Sequence, residues 1–148
     1  MKNLLAIFLM VFLFASCEGP AGAPGKDGEG IWWHVSDPIK VNSSQWELAE
    51  NAEGIPFYFY EYKISDLDND VYDGGKVQVR MFLDFDTNIE ALATLEHTEQ
   101  RQDKDGNKYN EIYSYEYYPG GIMITVKFGD FIVEQRPPTQ YFQVVLNY

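Results

Sequence analysis

The chain has 148 residues, a net charge of −12 from 23 acidic against 11 basic side chains, and one cysteine. That balance excludes a nucleic-acid binder, which needs a basic face, and the lone cysteine excludes an intramolecular disulfide. Hydrophobic residues make up 45% of the chain, enough for one self-supporting core.

The N-terminus carries Lys2, an uninterrupted apolar run Leu4–Phe14, then Ala15-Ser16-Cys17. A basic start, about 7–15 apolar residues and a small-residue end describe an export signal. The run is too short to span a bilayer as a helix, which takes about 20 residues. An ordinary signal would be cut near Ser16. The tetrad Phe14-Ala15-Ser16-Cys17 resembles a bacterial lipobox instead, with Phe14 where an aliphatic residue is usual. In that reading residues 1–16 are removed and Cys17 is acylated, the one cofactor-like group expected, which accounts for the solitary thiol. Two or more acyl chains anchor stably, each buried methylene contributing about 0.8 kcal/mol. The mature chain then keeps 10 basic and 23 acidic residues, a net of −13, so contact with anionic lipid is expected through the anchor alone.

Residues 17–30 form a linker in which Gly19, Gly22, Gly25 and Gly28 recur every third position, with Pro20 and Pro24 between them. Collagen requires that period. Four triplets are too few to offset the entropy of ordering three chains, and the reading preferred is an extended leash, with a seeded trimer as the alternative. Twelve residues at about 3.1 Å each reach on the order of 37 Å.

Residues 31–148 read as one all-β domain, an antiparallel β-sandwich of jelly-roll or immunoglobulin-like type. PFYFYEY sets Tyr58, Tyr60 and Tyr62 on one face and Phe57 and Phe59 on the other. Asp66-Leu67-Asp68-Asn69-Asp70 begins like a calcium loop, but Val71 and Val77 stand where an EF-hand needs Gly and Glu. An irregular Ca²⁺ site on Asp66, Asp68, Asp70 and Asp73 is the metal alternative; zinc lacks cysteine or paired histidine ligands. KVQVRMFLDFD alternates, with Val77, Val79, Met81, Leu83 and Phe85 sharing a face. Over 87–97 a Thr87/Glu90 capping box would start a helix, while the same residues also suit a strand or irregular chain, the reading preferred. IYSYEYY aligns Tyr113, Tyr115 and Tyr117, GIMITVKFG aligns Ile122, Ile124, Val126 and Phe128, and YFQVVLNY aligns Phe142, Val144, Leu146 and Tyr148. Turns are expected at Asp73-Gly74-Gly75, Asp105-Gly106-Asn107, Pro119-Gly120-Gly121, Gly129-Asp130 and Pro137-Pro138.

No catalytic pattern stands out. His34 and His97 are the only histidines, no serine sits in a G-x-S-x-G elbow, and with 23 acids a carboxylate pair arises by chance. The two tyrosine triplets are the candidate ligand-binding residues, because tyrosine is rigid, amphipathic and suited to stacking on sugar rings. Packing across strands within the sandwich is the competing role for the same six rings.

Cys17 with its Gly-Pro run, then Trp46, YDGGKVQVRM, SYEYYPGGIMITV and PPTQYFQVV, resemble an uncharacterised envelope lipoprotein family of Bacteroidetes. The resemblance implies a lipid-anchored protein at the outer membrane of a Gram-negative bacterium, with a β-rich domain behind a short collagen-like segment. It implies no active site. The expectation is a non-enzymatic binding module for a glycan or an envelope partner, with a structural scaffold or a glycan-active hydrolase as alternatives.

Overall fold

A computed structural model describes residues 32–129 and 135–148. Cys17, the signal-like segment 1–16, the linker 17–30 and Asp130 of one expected turn lie outside the described residues.

Alternation becomes architecture as two antiparallel five-stranded sheets. The first contains β1 (Trp33–Val35), β2 (Ile39–Val41), β5 (Lys76–Leu83), β6 (Ala91–Thr94) and β10 (Gln140–Asn147). In it β10 pairs with β5 along one side, β1 and β2 share its other side, and β6 flanks β5. The second runs β3 (Glu47–Glu50), β4 (Pro56–Lys63), β9 (Gly121–Phe128), β8 (Lys108–Tyr118) and β7 (His97–Gln102). The fold is therefore the expected β-sandwich.

The facing sides supply the core. Val79 and Met81 of β5, Ile122, Ile124, Val126 and Phe128 of β9, and Phe142, Val144 and Leu146 of β10 are all buried. Full burial of such a side chain contributes about 1.5–3 kcal/mol, which is how the domain holds together without a disulfide. Trp46 sits where the chain leaves β2, makes a 3₁₀ turn at Ser43–Gln45 and enters β3. Its ring meets Tyr60, Tyr113 and Phe142 edge-on at 6.4, 6.4 and 6.1 Å, a geometry that the ring quadrupoles favour. Its buried Nε1 donates to the Pro138 carbonyl at 3.1 Å.

Several local expectations change. Asp73-Gly74-Gly75 is a helix end rather than a hairpin turn: α1 (Asn69–Gly74) begins where the Asp68 carboxylate accepts from Val71 N, an ordinary N-cap. Gly75 is needed at its end, since a Cβ there would stand 2.7 Å from the Val71 carbonyl oxygen and 2.8 Å from that of Asn147. Phe85 does not extend the Val77–Leu83 face. Asp84 and Asp86 adopt φ of 52° and 60°, tolerable for aspartate, and the turn lays Phe85 on Tyr141 with ring centroids 3.9 Å apart. Tyr148 lies past the end of β10 and is exposed, its backbone paired to that of Trp32. Within 87–97, residues Ala91–Thr94 form the strand β6; Thr87 and Glu90 close the preceding turn, the hydroxyl donating to the Asp84 carbonyl and the carboxylate accepting from Asp86 N. The β7–β8 hairpin forms as expected, with Gly106 at φ 88° and the Asp103 carboxylate accepting from Asp105 N and Asn107 N, both at 2.8 Å.

Candidate functional site

The two sheets lose their flanking strands at the same place. β7 pairs with β8 from Gln102↔Lys108 only as far as His97↔Tyr113, and β6 pairs with β5 from Leu83↔Ala91 only as far as Arg80↔Thr94. Past those limits the Tyr115–Tyr117 edge of β8 and the Lys76–Gln78 edge of β5 have no neighbouring strand among the described residues. One hydrogen bond joins the bared edges, from the Tyr115 hydroxyl to the Val77 carbonyl at 2.9 Å. Burial, then the adjacent Tyr117, raise the Tyr115 phenol above its ordinary pKa.

Around this bond opens a cleft of about 650 Å³, within the usual size of a small-molecule site. Register assembles one wall: Trp33 stands opposite Asn147, and Asn147 opposite Lys76. Tyr117 forms another, stacked on Tyr115 at 6.3 Å and met edge-on by Tyr72 of α1 at 5.7 Å. Trp33 is 59% exposed and Tyr117 40% exposed, and around them stand the amides of Gln78 and Asn147, the Thr94 hydroxyl and the Lys76 ammonium. Flat apolar faces beside neutral donors and acceptors suit a ligand that has both C–H surface and hydroxyls.

The six tyrosines named from the sequence divide. Tyr58 is buried against Phe128 at 6.0 Å, Tyr60 packs on Trp46, and Tyr62 is half-buried against the core. Tyr113 is fully buried. Its hydroxyl donates to Glu111 at 2.8 Å, and burial, then the Glu111 charge, push its pKa far above the ordinary tyrosine value. Glu111 is itself only 1% exposed, and Arg101 Nε completes its surroundings at 3.0 Å. Of the six, only Tyr115 and Tyr117 reach the cleft.

The aspartates take separate tasks. Asp66 pairs with His34 Nδ1 at 2.8 Å, Asp68 caps α1, and Asp70 and Asp73 lie within that helix. Asp66, Asp68 and Asp70 line a shallow hollow beside Trp32 and Tyr148. Among the described residues, no three His, Cys, Asp or Glu side chains converge in a group able to hold a metal ion. The other histidine, His97, lies 3.0 Å from Glu99. Among the described residues no helix is long and apolar enough to cross a membrane.

Sequence reasoning missed Trp33, Gln78 and Thr94 as cleft residues. The two adjacent tryptophans Trp32-Trp33, both exposed, were the available signal. No protein-family model, no curated protein and no solved structure matches the chain.

Proposed function

We propose that the chain is an exported lipoprotein, held at the outer membrane of a Gram-negative cell by acylated Cys17, whose β-sandwich is a non-enzymatic glycan-binding module. The observation that carries the binding role is the cleft in which Trp33 and Tyr117 lie open beside Gln78, Thr94 and Asn147. A sugar presents a C–H face to stack on the rings and hydroxyls for the two amides and the threonine. Burying such a face releases water from both partners, while the polar rim fixes orientation. The sequence supports the anchor through its apolar run, the small residues before Cys17 and the absence of any second cysteine.

Two experiments test the reading. On an array of bacterial and host glycans, the chain should retain a defined subset; Trp33→Ala and Tyr117→Ala should each weaken capture about tenfold or more, the effect of losing a binding hot spot. Retention of no glycan, or full retention by both variants, sinks the glycan role and leaves a structural scaffold. In cell fractionation the full chain should follow the membrane and Cys17→Ala should not; protease added to intact cells would then report which side of the outer membrane holds the domain.

A further inference from the structure

A second cleft, of about 390 Å³, lies at the other end of β5, where Leu83 and the turn after it meet the start of β10 and the edge strand β7. Glu99 and Arg101 stand two residues apart on the inward side of β7, opposite Glu111 and Tyr109, and both line this cleft. They carry opposite charge, yet each is bonded to another residue. Arg101 gives its Nε to buried Glu111 at 3.0 Å, and Glu99 Oε1 lies 3.0 Å from His97 Nε2. Among the described residues the Arg101 pair with Glu111 engages Nε, and the two terminal nitrogens of a guanidinium carry four further donors in a rigid fork. Glu99 keeps Oε2. Two opposite charges are held apart on one wall, each by its own neighbour.

We infer that this cleft binds the zwitterionic head of a free α-amino acid, its carboxylate on the Arg101 fork and its ammonium on Glu99. Residues two apart on one strand face have backbones about 6.6 Å apart, so both side chains stand on one wall, where each can offer one end of a small zwitterion a charge-assisted hydrogen bond of about 2.8 Å. Charge balance narrows the choice. An anion would meet the carboxylates of Glu99 and Asp84, and a simple cation would meet Arg101. A neutral ligand would take water from both charges and return no counter-charge, which is unfavourable. Only a ligand carrying both signs satisfies both side chains. The amino acid's side chain has a place as well, against Phe85 and Tyr141, a stacked pair that lines the cleft together with Met81 and Leu83. An apolar or aromatic side chain is therefore preferred.

Isothermal titration of the full chain with L-phenylalanine, N-acetyl-L-phenylalanine and L-phenylalaninamide tests the inference. Phenylalanine should bind saturably, and each blocked form, having lost one charge, should bind about tenfold more weakly or worse. Glu99→Gln should weaken phenylalanine by a similar factor while leaving the acetylated form, which has no ammonium, unchanged. Because Glu99 supports no buried group, this variant keeps the fold, which circular dichroism verifies. Arg101→Lys keeps a charge near Glu111 but loses the fork, and should weaken phenylalanine and the amide unequally, the amide less. The inference is overturned if phenylalanine, leucine and lysine all fail to bind at millimolar concentration. Equal binding of free and blocked forms, or an unchanged phenylalanine affinity in Glu99→Gln, overturns it as well.

Discussion

Tyr113 and Tyr117 lie four residues apart on the same side of β8, in one stretch of alternating sequence, and end in opposite environments. Tyr113 is fully buried, touches Trp46 and Phe142 and gives its hydroxyl to a buried carboxylate. Tyr117 is 40% exposed and faces an open cleft. Their local sequences do not separate them, since both sit in a run of tyrosines with polar residues between. The difference lies in what stands alongside: β7 covers β8 up to Tyr113 and no farther. Where β7 runs alongside, the ring is buried, and where it has ended, the ring lies open.

Substitutions along β8 can break or sharpen that contrast. Tyr113→Ala should cost about 3–5 kcal/mol, the range for truncating a buried aromatic, read as a lower midpoint in urea unfolding; a loss below about 1 kcal/mol would mean that the two rings are not differently placed. Tyr113→Phe keeps the ring and removes one donor from buried Glu111, which should cost about 1–3 kcal/mol. Alkali probes the same bond without a mutation. Tyr113 holds its proton in the folded state past the point, about pH 10, at which an unfolded tyrosine releases it. Above that pH the unfolded chain binds fewer protons, so stability falls, by about 1.4 kcal/mol for each further pH unit. Tyr113→Phe should flatten this alkaline slope, as urea midpoints at pH 9 and pH 11 would reveal. Tyr117→Ala should move stability by about 0.5 kcal/mol or less while weakening the proposed glycan capture about tenfold or more. If instead it unfolds the domain, Tyr117 belongs to the core and the contrast fails.

Much of the fold was legible in the sequence because alternation reports which face of a strand meets the core. Val79, Met81, Ile122, Ile124, Val126, Phe142, Val144 and Leu146 all pack where their spacing placed them. Local exceptions arose where backbone geometry overrode spacing: two left-handed aspartates moved Phe85 to the other side of the sheet, and a capping carboxylate made a helix from residues that read as a calcium-like loop and a turn. The candidate site was legible only in part. Tyr115 and Tyr117 were named beside four rings that face the core, and Trp33 comes into register with Asn147 at the far end of the chain. Pairings across more than a hundred residues leave no local trace. The Arg101–Glu111 pair is hidden for a related reason: on β8, Glu111 keeps the same alternation as the tyrosines, and its burial depends on a cation and a phenol that only the fold supplies.

The bond from Tyr115 to Val77 bears on solubility. An uncovered strand edge offers its carbonyls to any passing strand, and chains with such edges tend to polymerise sheet to sheet. At the gap where β6 stops short, Tyr115 fills one of those carbonyls from the opposite sheet. The opening thereby displays rings and amides in place of a bare backbone template. Copies of the domain brought close together then meet at rings and amides rather than at an open backbone, and are less apt to knit together into fibres.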